Sequence, residues 1–218
     1  MRAVAIIVVF ETILAGLFVG SAGRWDLPWF WTLLGIHTVV MGTNILVMDP
    51  DLRKERLTLG RRGGNDRSMR ALIMPFVLLH LVVAGLDVGR FGWSGKVVLV
   101  VHIAGLVGYC AGLGLAVWAM AVNRFFAPVV RLQSERGHHV ISAGPYALIR
   151  HPGYLGFLLA LVGEAFMLGS YWSLLPVVGA AAVVLRRTAM EDRFLHESLA
   201  GYVEYARNVR WRLAPAVW

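Results

Sequence analysis

The sequence has little charge and almost no cysteine. Charged residues make up 16% of its 218 residues, against about 25% in an ordinary soluble domain. A single cysteine, Cys110, excludes both an internal disulfide framework and a cysteine-based zinc site. A glycine-rich nucleotide loop after a strand is also absent, because the glycines at 105, 108, 112 and 114 lie within an apolar run. Their spacing instead predicts close packing between membrane helices.

Hydrophobic residues make up 58% of the chain, and the mean hydropathy is +0.65. They occur in long runs, each near the roughly 20 residues that a helix needs to cross a bilayer. The first run resembles a signal peptide, but Ser21-Ala22-Gly23 is a weak cleavage site, so we expect a transmembrane helix there. The pattern predicts an all-α, polytopic transmembrane helical bundle of about six spans, at 4–22, 28–48, 71–89, 95–122, 153–169 and 171–190.

The basic residues predict the orientation of this bundle. Of the 21 lysines and arginines, three (Arg24, Arg90 and Lys96) fall on one side of the predicted spans and the other 18 fall on the other side. The positive-inside rule then places both termini in the cytoplasm. The formal charge of +8 is therefore assigned to cytoplasmic loops and not to nucleic-acid binding, since no basic helix carries interleaved stacking aromatics. We expect an integral membrane protein.

Two regions make up one integrated membrane domain. Residues 1–122 form an N-terminal four-span region, and residues 123–218 combine a polar loop, a tight C-terminal helical hairpin and a tail. The charged segment 49–70 is suited to lie on anionic headgroups. In the tail, apolar residues recur at helical spacing and predict an amphipathic helix at the membrane interface; they are Leu195, Leu199, Tyr202, Tyr205 and Val209.

Several polar residues fall inside the predicted spans. Glu11 and Glu164 either pair with neighbouring side chains or face a substrate cavity, since both arrangements occur for carboxylates at membrane depth. We expect His37, His80 and His102 to be hydrogen-bonded interior residues, because no spacing pairs them as ligands. His138 and His139 are adjacent and do not share a helix face, so no metal site is predicted.

Two segments carry the residues suited to chemistry. The first is GPYALIRHPGYLG at 144–156, and the second is RTAMED at 187–192. Arg187 and Glu191 are four residues apart and share one helix face, while Pro152 begins a helix whose first turn holds Tyr154. Such a mixed-charge pocket beside an apolar cavity suits a small polar cofactor that meets a lipidic substrate. Alternatively, the arginines are snorkelling anchors and Glu191 is a surface partner.

The stretch NRFFAPVVRLQSERGHHVISAGPYALIRHPGYLG at 123–156 closely resembles the isoprenylcysteine carboxyl methyltransferase family. The C-terminal pattern also matches bacterial members of that family, from Arg187 through Gly201-Tyr202 and Tyr205 to the RWRL sequence at 210–213. DPDLRKER at 49–56 is similar to theirs as well, and the match to bacterial members implies a location in the bacterial plasma membrane. The paired glutamates of the family are Glu191-Asp192 here, and aspartate keeps the charge with a shorter reach.

This resemblance implies S-adenosylmethionine as cofactor, bound without a Rossmann domain. Glu191 would face the ammonium group of the cofactor, with Asp192 as the second acid. Arg150 and Arg187 would orient the carboxylate that is methylated, as the catalytic pair. The other residues implied in cofactor binding are Gln133, His138, Tyr146, His151, Pro152 and Tyr154.

A carboxylate acceptor is already anionic at pH 7, so the reaction needs alignment and exclusion of water and no general base. The expected acceptor is a lipidic small molecule or a prenylated group, reached from the surrounding membrane lipids. Three alternatives remain: an NADPH-dependent sterol-type reductase, a phospholipid N-methyltransferase, and a non-enzymatic lipid-binding or assembly subunit. An amine acceptor would require a base, and a histidine would then be the candidate.

Overall fold

The computed structural model of the protein describes residues 2–47, 64–126 and 131–218. These residues are arranged in helices joined by turns, and no strand occurs among them, as the composition predicts. A π-helical turn, Leu86–Phe91, follows the third helix, and short 3₁₀ turns lie at Ser134–Arg136 and Gly144–Ala147. The seven helices are α1 (Arg2–Ala22), α2 (Pro28–Val47), α3 (Gly64–Gly85), α4 (Leu99–Val122), α5 (Pro152–Leu168), α6 (Leu174–Ser198) and α7 (Tyr202–Asn208).

Three segments of the described chain are long and apolar enough to cross a membrane: Pro28–Val47, Ala71–Phe91 and Leu99–Val122. Two shorter apolar helices, Ile7–Ala22 and Pro152–Leu168, accompany them. The molecule is therefore an integral membrane protein, whereas the count of six spans stays a prediction. Exposed aromatic side chains, the usual residues of a membrane–water interface, lie in the turns that follow α1, α3 and α5; they include Trp25, Trp93 and Trp172.

Glycines bring α4 and α5 into backbone contact. A Cβ atom on Gly105 would lie 2.1 Å from the backbone nitrogen of Met167, and one on Gly112 would lie 2.4 Å from that of Ala160. From the other helix, a Cβ on Gly163 would lie 2.3 Å from the nitrogen of Tyr109. The predicted close packing is confirmed at these positions. Gly114 is different, because a Cβ there would have no heavy atom within 4 Å.

The close contact between α4 and α5 can be tested by comparing the stabilities of two glycine variants of α4. We expect Gly112→Ala to lower the free energy of unfolding by about 1–3 kcal/mol, the usual cost of overpacking, because the backbone of α5 must move away. Gly114→Ala should leave stability unchanged or slightly higher, since alanine is the better helix former. Denaturant unfolding of both variants in detergent measures the difference. Equal stabilities of the two would show that α4 and α5 are not in backbone contact.

The predicted C-terminal hairpin forms, but its arms separate away from the turn. Gly169 makes the turn with φ +79°, and the arms meet where Leu161 packs with Val177 and Ala180. Beyond that point α5 stays against α4, whereas α6 packs against α3, where Phe76 contacts Gly179. The predicted hairpin is confirmed, and its arms pack directly against each other near the turn. The separation leaves a wedge between α5 and α6.

Several polar groups inside the bundle pair with one another or with the backbone. Glu11 lies 2.7 Å from His37, and Glu164 lies 3.6 Å from Nε2 of His80. Nδ1 of His80 is 2.9 Å from the carbonyl oxygen of Ser173, and that of His102 is 2.7 Å from the oxygen of Met167. The three histidines are thus interior and hydrogen-bonded or ion-paired, as predicted, and both glutamates serve in partnering and not in the cavity described below.

The tail packs on the rest of the protein through its regular apolar face. Leu199, Tyr202, Tyr205 and Val209 are buried in a cluster with partly buried side chains that include Leu132, Val140 and Leu195. The polar loop before α5 therefore covers this face, and a position of the tail at the membrane interface stays a prediction. The segment at 49–56 lies outside the described residues, as does most of the predicted headgroup-binding segment at 49–70.

Candidate active site

A cavity of about 420 Å³ occupies the wedge between α5 and α6. Small-molecule sites usually measure roughly 300–1,000 Å³, so the volume suits a ligand of cofactor size. One end is apolar and lies between four helices. The other end is polar and is closed by the loop before α5 and by the tail. The apolar end is lined by Ile73, Met74, Ala116, Phe157 and Val184.

A chain of three side chains spans the wall between α5 and α6. Nε of Arg187 lies 2.6 Å from the hydroxyl of Tyr154, which lies 2.5 Å from Oε2 of Glu191. Because a carboxylate only accepts and a guanidinium only donates, Tyr154 accepts from Arg187 and donates to Glu191. The helical spacing predicted that Arg187 and Glu191 share a face, and Tyr154 holds the two in one orientation.

Asp192 points away from the cavity and is 1% exposed. Its carboxylate accepts hydrogen bonds from Nε and NH2 of Arg150 at 2.8 and 3.1 Å. Nε of Arg212 lies at 2.8 Å and the hydroxyl of Tyr202 at 2.9 Å, and Nε2 of His151 lies at 3.4 Å. Burial by itself would raise the pKa of Asp192, but these hydrogen bonds hold the pKa well below its usual value. The group is therefore an anion at every physiological pH.

Arg150 is committed to this cluster and to the tail. Its NH1 group donates to the carbonyl oxygens of Val209 at 2.9 Å and Arg210 at 3.1 Å. Backbone hydrogen bonds join the same two segments: the amides of Arg150 and His151 donate to the carbonyl oxygens of Trp211 and Arg212, each at 2.9 Å. Arg150 does line the cavity, but its hydrogen bonds belong to Asp192 and the tail. A carboxylate-orienting role for Arg150 stays a prediction that this geometry does not favour.

His138 and Gln133 have different places in the polar loop. The amide of Gln133 donates to Nδ1 of His138 at 3.3 Å, so Nε2 carries the proton of the neutral ring. Burial lowers the pKa of His138, and the ring is neutral at pH 7. His138 lines the cavity. Gln133 is 1% exposed and bonded to Phe125 and Arg136, so it supports the wall from behind.

The remaining predicted residues also divide into those that line the cavity and those that lie behind its wall. Tyr146, His151 and Tyr154 line the cavity, whereas Pro152 and Asp192 lie behind the wall. Pro152 is at the first position of α5, where a missing N–H costs nothing. The hydroxyls of Tyr146 and Tyr205 remain protonated at pH 7 because burial raises the pKa of each phenol.

Sequence reasoning assigned no role to several residues of the wall. Asn123 donates to the hydroxyl of Tyr146 at 3.2 Å, and Tyr205 donates to the carbonyl oxygen of Tyr146 at 2.7 Å. The signals were present in the NRFF sequence at 123–126 and the G-Y-x-x-Y pattern of the tail. The other lining residues that were missed include Phe125, Phe126, His139, Phe157, Val184 and Tyr202.

The part of the chain that builds this wall matches a known family. Residues 104–197 match the model of the isoprenylcysteine carboxyl methyltransferase (ICMT) family. This part of the chain is similar to the ICMT family. The match begins within α4 and ends in the last turn of α6, so it includes Tyr154, Arg187 and Glu191 but not the tail. The resemblance inferred from the motifs is confirmed.

Individual relatives agree with the ICMT match. A probable protein-S-isoprenylcysteine O-methyltransferase of Oryza sativa subsp. indica is 37% identical over 95 residues, which are 41% of this chain and 48% of the rice protein. Protein-S-isoprenylcysteine O-methyltransferase A of Arabidopsis thaliana is 35% identical over 95 residues, 41% of this chain and 47% of that protein. The chain thus spans about half the length of these relatives.

A bacterial relative is similar over a longer stretch. The cobalt-zinc-cadmium resistance protein CzcN of Cupriavidus metallidurans is 29% identical over 135 residues, 61% of this chain and 58% of CzcN. Among the residues that the structure describes, no group of three or more histidine, cysteine, aspartate or glutamate side chains is arranged to hold a metal ion.

Proposed function

We propose that the protein is an S-adenosylmethionine-dependent membrane methyltransferase whose acceptor is a lipidic or prenylated carboxylate. The observation that carries this proposal is one cavity with a Glu191–Tyr154–Arg187 chain at its polar end and four apolar helices at the other. A water-soluble cofactor and a membrane-resident acceptor can meet only where both environments adjoin. The plant relatives' names, which state isoprenylcysteine O-methyl transfer, support the same activity.

The residues present fit S-adenosylmethionine. The ligand carries an ammonium, a carboxylate, an aromatic base and a sulfonium, and when bound it would supply an electrophilic methyl group. Glu191 is the one carboxylate among the described residues of the wall and would hold the ammonium. Tyr146, His138 and His151 offer aromatic faces for the base and the sulfonium. Gln133, Pro152 and Asp192 would act from behind the wall.

The charges of the wall favour an anionic acceptor. Three arginines, Arg131, Arg150 and Arg187, line the cavity beside the single carboxylate of Glu191. Arg187 is held by Tyr154 at the junction of the polar and apolar ends, and we assign it the acceptor carboxylate. A carboxylate needs no general base. An amine acceptor would be protonated at pH 7 and repelled by Arg187, whereas Arg131 and Arg150 are ion-paired with Glu135 and Asp192. Phospholipid N-methylation is therefore disfavoured.

Ligand binding and methyl transfer test this proposal directly. We expect the purified protein to bind S-adenosylmethionine and S-adenosylhomocysteine. We also expect it to transfer methyl groups to S-farnesyl-thiopropionate, a carboxylate on an apolar tail, when this compound is presented in vesicles. The corresponding amide, which has the same tail without the anion, is the matched control and should stay unmethylated. Binding of NADPH in place of both adenosyl ligands would instead establish a reductase. Failure to bind any of the three would leave a non-enzymatic subunit.

The position of the site also follows from the proposal. Arg131, Arg150 and Arg187 line the cavity, and Arg124 and Arg136 lie over the ring of Phe125 in its wall. Basic residues are enriched on the cytoplasmic side of membrane proteins. We therefore infer that the site opens to the cytoplasm. The cofactor is made in that compartment, and the apolar end of the cavity would face the acceptor within the bilayer.

A further inference from the structure

Neighbouring acids on α6 face opposite ways. Glu191 lines the cavity, whereas Asp192 is buried behind the wall. Consecutive helical residues point about 100° apart, so one acid can meet a ligand while the other meets the rest of the protein. The second acid of the family's pair is thus available for a different task in this chain. Its partners indicate what that task is.

The partners of Asp192 belong to two other parts of the molecule. Arg150 and His151 come from the segment before α5, and Tyr202 and Arg212 come from the tail. One buried carboxylate on α6 therefore joins three pieces of chain that are distant in sequence. Removing its charge would leave the two guanidinium groups without an anion, and buried cations without partners are costly.

The tail that Asp192 holds is itself part of the cavity wall. Tyr202 and Tyr205 both line the cavity, and the Tyr202 hydroxyl that bonds Asp192 fixes the first of them. The tail has a small apolar cluster of its own around Leu199 and Val209. The amides of Arg150 and His151 and the hydroxyl of Tyr205 join the tail to the loop before α5, whereas Tyr202 and Arg212 join it to Asp192 of α6. The position of the tail wall relative to α6 therefore depends on the ionic cluster.

We propose that Asp192 is a positioning residue, which clamps the tail over the polar end of the cavity and thereby sets the affinity for the cofactor. It acts through Arg150, Arg212 and Tyr202 and touches no ligand. The inference rests on the proposed function for its effect on cofactor affinity, but the clamp can be measured without any ligand. Aspartate suits the role, because its short side chain accepts from Arg150 and Arg212 at 2.8 Å from within α6.

Hydrogen exchange of the tail amides tests the clamp in the full-length protein without ligand. We expect Asp192→Asn to accelerate exchange in residues 199–213 by about tenfold or more, since a hydrogen bond to a charged group contributes that much to an equilibrium. Arg212→Gln should act in the same direction. Because Arg212 is partly exposed, we expect Arg212→Gln to remain folded even if Asp192→Asn unfolds the protein. Arg193→Gln is the control, because Arg193 is exposed on the same helix.

Steady-state kinetics separate positioning from a general loss of structure. We expect Asp192→Asn and Arg212→Gln to raise the Michaelis constant for S-adenosylmethionine by about tenfold or more, with kcat within about threefold of the parent enzyme. A loss of folded protein would lower the apparent kcat in proportion and leave the Michaelis constant unchanged. Arg193→Gln should change neither.

Two results would overturn the inference. Tail exchange in Asp192→Asn and Arg212→Gln that equals that of the parent protein would exclude the clamp. Faster exchange with an unchanged Michaelis constant would exclude a role in cofactor affinity. A parent protein that binds no adenosyl ligand would refute the proposed function and with it that affinity role, while the exchange result would still decide the clamp by itself.

Discussion

Arg150→Ala should lower the free energy of unfolding of the ligand-free protein by about 3–5 kcal/mol, the usual cost of breaking a buried ion pair. The substitution removes two hydrogen bonds from the buried carboxylate of Asp192 and those to the carbonyl oxygens of Val209 and Arg210. Arg150→Lys should restore little of the loss, because one ammonium cannot replace a planar fork that serves both partners. Denaturant unfolding in detergent measures both variants.

The result distinguishes two roles for Arg150. If Arg150 only oriented the acceptor, the ligand-free variant would be as stable as the parent protein and would fail in methyl transfer alone. Arg193→Ala supplies the baseline, since its exposed pair with Glu197 contributes little. A stable but inactive Arg150→Ala variant would therefore support the role in orienting the acceptor carboxylate that the family resemblance implies for Arg150.

Glu191→Gln should weaken binding of S-adenosylmethionine by roughly 10- to 100-fold, the range expected for loss of a charged hydrogen-bond partner. Glutamine keeps the shape and an oxygen that can accept from Tyr154, so the Arg187–Tyr154 contact at 2.6 Å should persist. What is lost is the negative charge that we assign to the ligand's ammonium. Calorimetry with the purified variant measures the change.

Ligand chemistry supplies the control for this assignment. 5′-Methylthioadenosine shares the adenosine and sulfur of the cofactor but has no ammonium, so its affinity should be the same in Glu191→Gln and the parent protein. Glu197→Gln, on the exposed face of α6, should alter the binding of neither ligand. An equal loss for both ligands would show that Glu191 maintains the shape of the wall and does not meet the ammonium.

Much of the fold could be predicted because it depends on local physics. Runs of apolar residues predict helices wherever they occur. Four of the six predicted spans coincide closely with helices, while the third and the sixth overlap longer helical segments. The glycines of α4 predicted a close approach because small residues at helical spacing leave the backbone accessible. Sequence did not show that the approach would be to α5 at Ala160 and Met167. That pairing draws α5 away from α6 and so creates the cavity.

The candidate site was predictable where its residues share a helix. Arg187 and Glu191 are related by the helical repeat alone, and Tyr154 follows a proline that begins a helix. Gln133 and Asp192 were predicted to meet the cofactor, but both lie behind the wall. Which side of the wall a polar residue faces depends on where other segments dock, and a motif does not contain that information.

The sequence by itself determined that this is a helical membrane protein and placed the candidate site between residues 123 and 192, because hydropathy, charge and motif are properties of the chain. Only the tertiary structure decided the division of labour between Glu191 and Asp192. The two residues are adjacent and their side chains differ by one methylene group, so no rule based on local sequence separates their roles. Asp192 is structural because Arg150, Arg212 and Tyr202 converge on it from segments up to 42 residues away, and such convergence exists only once the chain has folded.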